Sequence, residues 1–233
     1  MPERDDVPQR ALVLVVRPTP SGVDERSLRA VVRAVAERTG GPVLAAHLDQ
    51  GEPSVHDVLD RLDADGASSA VLVPLALPDD RYLASWLAKA VANWRETRAG
   101  ALDVRMARGP AAATGLAEAI AGLADETAPI TASPAGFRSP SWSVLDVPDR
   151  HLFVCRGPRC TAHGAGPVHR ALADLVRGTT AKVTPAGCFG PCNLGPLVID
   201  HPGGTWHQHV DADGAAKLLD RGTGRRAGGA GCR

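Results

Sequence analysis

Aromatic side chains are scarce: Phe, Trp and Tyr together make up 3% of the 233 residues, so Ala, Val and Leu must fill the core. Small aliphatic side chains suit the close helix–sheet packing of α/β layers. An excess of charge of one sign is also lacking: 26 Lys and Arg stand against 26 Asp and Glu. Without a basic excess to neutralise a phosphate backbone, nucleic-acid binding has no electrostatic support. No run approaches the roughly 18–20 apolar residues of a membrane-spanning helix. The stretch Met1–Arg10 is charged and lacks the apolar segment of a secretory signal. No membrane association and a cytoplasmic location are therefore the expectations. Cysteine is sparse as well, and five in a chain this long are too few for a disulfide scaffold. Four of the five lie between Cys155 and Cys192, and in a reducing compartment such clustering points to metal or redox chemistry.

The length exceeds the roughly 100–200 residues of one domain, so two domains are expected. The first half alternates strand and helix signals. Ala11–Val16 is a continuous apolar run, as in a strand buried on both faces. Residues 27–37 place Leu28, Val31, Val32 and Val35 at helical spacing. Pro42–His47 is a second short apolar run. Ser54 followed by Asp57 reads as an N-terminal cap near a capping box, with Val55, Val58, Leu59 and Leu62 as the buried stripe of the helix. A third strand is expected over Ala70–Leu77, then a helix with Leu83, Trp86, Leu87, Ala90, Val91 and Trp94 on one face. A fourth strand over Ala101–Ala107 and an Ala-rich helix over 111–124 complete the pattern. Such alternation implies an α/β fold, a parallel sheet with helices on both faces.

Residues 126–150, with Pro129, Pro134, Pro140 and Pro148, read as a linker on which Phe137 and Trp142 could dock. A smaller α/β domain is expected over 151–221. It has strands at His151–Cys155, Ala181–Thr184, Leu197–Asp200 and Trp206–Val210, and helices at 168–176 and 213–220. Residues 222–233 read as a Gly/Arg-rich disordered tail carrying Cys232, a free thiol outside the cluster.

Cys155 and Cys160 are separated by four residues (CRGPRC), and Cys188 and Cys192 by three (CFGPC). A [2Fe–2S] cluster needs four thiolates brought together from loops, and the Gly/Pro composition suits that, with Gly157 and Gly190 allowing close backbone approach. A Cys₄ zinc site is the competing reading, although zinc knuckles favour two-residue gaps.

The stretch from His151 to Arg221 resembles the thioredoxin-like [2Fe–2S] ferredoxins. The resemblance rests on CRGPRC after a strand and on GCFGPCNLGPLVIDHPGGTWHQHV after a helix. It implies a thioredoxin-like fold, a [2Fe–2S] cluster on Cys155, Cys160, Cys188 and Cys192, electron transfer with a redox partner protein, and frequent homodimers.

The segment from Arg10 to Ala124 resembles the small sirohydrochlorin chelatases, through LVLVVRPTPSG and GEPSVHDVLDRLDADGASSAVLVPLAL. The resemblance implies insertion of cobalt, iron or nickel into a tetrapyrrole, with histidines holding the ion after the first and third strands. Arg17 and Tyr82 occupy those two positions here. Arg is permanently cationic and repels a metal ion. Tyr ligates only as a phenolate, with an ordinary pKa near 10. Metal insertion is therefore expected to be lost, with tetrapyrrole or partner binding retained. An active chelatase with an accessory cluster is the alternative. Arg17, Arg81 and Arg108 at the carboxyl edge of the sheet would clamp tetrapyrrole carboxylates. Glu52, Asp79 and Asp80 form a second candidate, an acidic site. His47 follows a strand near the cleft, His56 is expected to face solvent, and His207 and His209 are expected on one face of one strand.

Overall fold

The computed structural model describes residues 10–18, 22–131, 134 and 147–220. The expected linker falls largely outside these residues, Phe137 and Trp142 included, and so does the tail with Cys232.

Four parallel strands form the first sheet: β1 Arg10–Val16, β2 Val43–His47, β3 Ser69–Pro74 and β4 Asp103–Met106, in the order β2-β1-β3-β4. Helices α1 Glu25–Thr39, α2 Val55–Ala64 and α3 Arg81–Thr97 connect them. The order reverses direction between β1 and β3, and open α/β sheets bind ligands outside the carboxyl ends of their strands at such a point. Arg17 directly follows β1, and Tyr82 stands in the first turn of α3 after β3. Both expected chelatase positions therefore sit at this edge.

Local signals account for the helix starts. Ser54 and Asp57 form a complete capping box. Asp24 caps α1 and Asp80 caps α3, each accepting from two backbone N–H groups. The interior is the stripe read from the sequence: Val13, Val15, Leu59, Leu72, Leu83 and Leu87 are fully or almost fully buried.

The second sheet has the order β6-β5-β7-β8, with β5 His151–Cys155, β6 Lys182–Ala186, β7 Val198–His201 and β8 Thr205–His207. β5 and β6 are parallel, and β5–β7 and β7–β8 are antiparallel. Helices α5 Pro158–Ala162, α6 Ala165–Leu175 and α7 Ala215–Asp220 accompany it. Arg150 ties its ends together: the guanidinium grips both carboxylate oxygens of Asp200 and donates to the carbonyls of Leu218 and Leu219. No helix among the described residues is long and apolar enough to cross a membrane.

Four expectations change. The third strand ends at Pro74 rather than Leu77, because the N–H of Leu75 makes the last bond to Val15 and the chain then turns out to an exposed Leu77. The Ala-rich segment breaks into a short 3-10 turn, Pro110–Ala112, and α4 Leu116–Gly122, which buries no residue. Gly115 before it is left-handed and offers no side-chain cap. The last strand stops at His207. His209 has φ 49, and its N–H reaches back to the carbonyl of Leu194, so His207 and His209 do not share a strand face.

The fourth change concerns His56, which is buried, with Nε2 3.1 Å from Asn93 Oδ1. Val55 and Leu59 fill the sheet side of α2, and His56 fills the seam towards α3. Burial holds its pKa below the ordinary imidazole value; the Asn93 contact opposes this and Arg98 reinforces it. The unfolded chain protonates His56 near pH 6.5, the folded chain only at lower pH. The contribution of His56 is thus fully present above about pH 6.5 and is lost as pH falls through that value towards the folded pKa. His151, His163 and His169 are shifted the same way, first by burial. His56→Gln is expected to flatten, not abolish, the loss of stability between about pH 7 and about pH 5 in urea unfolding curves. Identical pH slopes for variant and parent would contradict it.

Candidate metal centre

Cys155 ends β5, and Cys160 lies in the α5 helix that starts after the Gly157–Pro158 turn. Cys188 is in the loop after β6, and Cys192 opens a 3-10 turn, Cys192–Leu194. All four are free thiols. Cys155 and Cys160 are buried, Cys188 is exposed and Cys192 is intermediate. They lie as two neighbouring pairs. Cys155 and Cys160 hydrogen-bond each other, the Sγ atoms of Cys188 and Cys192 are 3.6 Å apart, and Cys155 also bonds Cys188. Among the described residues no group of three or more His, Cys, Asp or Glu side chains is arranged to hold a single metal ion.

Backbone N–H groups point at the sulfurs. Gly157 and Phe189 donate to Cys155, Leu197 to Cys160 and Gly190 to Cys188. The Cys160 thiol donates to Cys155 and, with those N–H groups, holds the Cys155 thiol down at about 6. Cys160 itself is pushed up, first by that bond to the Cys155 sulfur and then by burial. The two thiols are thus shifted in opposite directions by the bond between them. Soft thiolate donors with peptide N–H groups on their sulfurs suit iron–sulfur ligation.

Two glycines make room for the loops. A Cβ on Gly157 would stand 2.8 Å from the Cβ of Cys188, and one on Gly195 2.5 Å from Cys160 Sγ. Gly190, expected to approach closely, has nothing within 4 Å of its Cβ position; its φ of 109 is what requires glycine.

The two positions expected for the chelatase histidines, Arg17 and Tyr82, pack against each other. Arg17 Nε is 3.3 Å from Asp49 Oδ2, its second nitrogen is 3.3 Å from Asp80 Oδ2, and its Cζ lies 4.3 Å over the Tyr82 ring. Burial, with further pushes from Asp49, Cys188 and Cys192, raises the Tyr82 phenol to about 12. Burial raises the Asp49 carboxyl as well, against the pull of Arg17. The acidic site expected from Glu52, Asp79 and Asp80 does not form. Asp80 caps α3, Asp79 accepts from the N–H of Ala111, and Glu52 pairs with Arg170 and Arg156 of the second domain. Of the three arginines expected at this edge, Arg17 is already paired with two carboxylates, and Arg81 and Arg108 are exposed. His47 is buried, with Nε2 3.4 Å from Glu25 Oε1.

With this arrangement established, similarity to known proteins divides the chain in two. Residues 11–121 match the family CbiX. The N-terminal domain is thus the part of the chain that is similar to CbiX. The C-terminal part is similar to 2Fe-2S ferredoxins from Aquifex aeolicus (26% identical over 85 residues, 31% of this chain and 77% of the relative) and from Clostridium pasteurianum (27% over 85 residues, 31% and 83%). Among solved structures, the thioredoxin-like [2Fe-2S] ferredoxin of Aquifex aeolicus aligns at 25% identity with a TM-score of 0.30, covering 32% of this chain and 85% of its own. A putative cobalamin (vitamin B12) biosynthesis CbiX protein from Marinobacter aquaeolei aligns at 20% identity with a TM-score of 0.39, covering 50% and 95%.

Three residues at this centre escaped the sequence reading. Asp49 pairs with Arg17, Arg156 is a buried arginine directly after Cys155, and the Thr161 hydroxyl bonds the Arg156 carbonyl. Their partners lie at the end of the neighbouring strand, across the domain junction or across a turn, and nothing local in the sequence marks them.

Proposed function

We propose that this chain is an electron-transfer protein that holds a [2Fe–2S] cluster on Cys155, Cys160, Cys188 and Cys192. Its CbiX chelatase-like domain no longer inserts metal and serves as a docking module for a tetrapyrrole or a redox partner protein. The observation that carries this reading is the convergence of four thiols from two segments of the chain, 155–160 and 188–192, with peptide N–H groups aimed at three of the sulfurs. The similarity to proteins named 2Fe-2S ferredoxins supports it. A bound cluster of this type supplies reversible one-electron transfer. The chain's own residues do the rest. The buried pair Cys155 and Cys160 faces the interior, while Cys188 and Cys192 face the surface where a partner docks.

Loss of metal insertion is supported by the chemistry of the two edge positions. Arg17 is a cation already paired with Asp49 and Asp80. The Tyr82 phenol, raised to about 12, keeps its proton at neutral pH and offers no anionic oxygen to a divalent ion.

The test is anaerobic purification of the full chain with iron, sulfide and zinc analysis, an absorption spectrum, and an assay of cobalt, nickel and iron insertion into sirohydrochlorin. The expected result is brown protein with iron and sulfide in equal amounts and insertion no faster than the uncatalysed rate. Colourless protein holding zinc rejects the electron-transfer reading. Accelerated insertion rejects the loss of chelatase activity.

A further inference from the structure

The junction between the two domains runs through the cysteine centre. The loop after β2 carries Asp49, Gln50, Gly51 and Glu52 against the turn after Cys155. The Gln50 N–H donates to the Arg156 carbonyl at 2.9 Å. The buried Arg156 guanidinium reaches back to the Gly51 carbonyl at 3.5 Å and to Glu52 at 4.0 Å. Glu52 also pairs with Arg170 on α6. Gln50 is held at φ 56, a left-handed conformation that non-glycine residues rarely adopt, so this loop is specifically shaped where it meets the second domain.

One peptide unit links that loop to the sulfur. The carbonyl of the Arg156–Gly157 peptide accepts from Gln50 N–H and from the Thr161 hydroxyl, the latter at 2.9 Å. The N–H of the same peptide, on Gly157, donates to Cys155 Sγ. Hydrogen bonds at a peptide carbonyl polarise the unit and strengthen the bond its N–H makes. N–H bonds to the ligating sulfurs stabilise the more negative, reduced state of an iron–sulfur centre and raise its potential.

We infer that the Asp49–Glu52 loop of the chelatase-like domain is a positioning element for the electron-transfer site, fixing the Arg156–Gly157 peptide on Cys155 and so setting the reduction potential. This inference rests on the cluster reading above. Glu52 is the positioning residue on the N-terminal side, where it anchors the loop through Arg156 and Arg170. Thr161 acts on the same carbonyl from within the second domain. The chelatase-like domain then has a role that needs no catalysis: a ligand that moves its β2 loop changes the driving force for electron transfer.

The experiment uses the full chain, purified anaerobically as parent, Glu52→Arg, Glu52→Gln and Thr161→Val. Glu52→Arg sets a third cation against Arg156 and Arg170, Glu52→Gln removes the charge with little change of shape, and Thr161→Val removes the hydroxyl alone. Iron and sulfide are assayed first, the midpoint potential is then read by EPR-monitored titration, and amide exchange is followed over 155–160. Glu52→Arg and Thr161→Val are expected to keep the cluster, exchange faster at Gly157, and disfavour reduction by about threefold to tenfold, roughly 30–60 mV at 59 mV per tenfold for one electron. Glu52→Gln is expected to shift the potential in the same direction by less, and it keeps the test open if Glu52→Arg fails to fold. An unchanged potential in cluster-loaded variants overturns the inference, whatever the exchange rates. A parent chain without iron and sulfide overturns the cluster reading itself, and a parent with a cluster separates the two failures.

Discussion

Cys155→Ala is expected to yield colourless protein, with iron and sulfide lost and the visible absorption gone, while far-UV circular dichroism stays close to that of the parent. Cys155 is the hub of the four thiols. It bonds both Cys160 and Cys188, receives two backbone N–H groups, and is the thiol driven furthest towards thiolate, to about 6. It is also buried, as is Cys160, so no water can enter to replace a missing ligand. Cys188 and Cys192 differ in this respect because solvent reaches them. Cys188→Ala is therefore expected to retain more iron after rapid purification than Cys155→Ala. The Ala replacement leaves the fold because a small side chain fits at the end of β5, where Cys155 pairs with Ala186. Cys232→Ala serves as the control and keeps the full iron content. Cys155→Ala protein that stays brown, or Cys232→Ala protein that turns colourless, would contradict the proposed ligand set.

Trp94→Ala is expected to destabilise the N-terminal domain by about 3–5 kcal/mol, the range for deleting a large aromatic from a packed core. Trp94 is 1% exposed and is among the largest fully buried side chains. Its indole N–H donates to Asp60 Oδ1 at 2.7 Å across the α2–α3 seam, and Arg98 grips the same carboxylate. Trp94→Phe keeps most of the volume and loses the hydrogen bond, at a cost of about 1 kcal/mol. Urea unfolding checks both. The two sheets have separate cores, so the loss is expected in the transition of the first domain, with the visible spectrum of the second little changed. A loss below about 1 kcal/mol for Trp94→Ala would mean that the seam repacks.

Which parts could be read in advance follows from the range of the forces involved. Helix caps act over three residues, and Ser54 with Asp57 was plain in the chain before any fold was known. Apolar periodicity is local too, and Val55, Val58, Leu59 and Leu62 are buried as their spacing implies. His56, one position along, was misread because its burial depends on Asn93, 37 residues away on α3. The strand over Trp206–Val210 was read too long for the same reason. Its alternation continues, but the backbone beyond His207 is drawn off by the carbonyls of Leu194 and Pro196.

By itself, the sequence determined the α/β class, the order of the strands, the pairing of cysteines by spacing, and the residue types, Arg17 and Tyr82, at the two positions where the chelatase resemblance expects histidines. Only the tertiary structure decided that Glu52 is an anchor between domains and not part of an acidic site, and that Arg17 is held by Asp49 and Asp80. It alone decided that the N-terminal loop reaches the peptide bonded to Cys155. Periodicity, capping and ligand spacing act between near neighbours along the chain. Charge pairing, burial and shared hydrogen bonds act between neighbours in space, and here those neighbours lie as many as 118 residues apart.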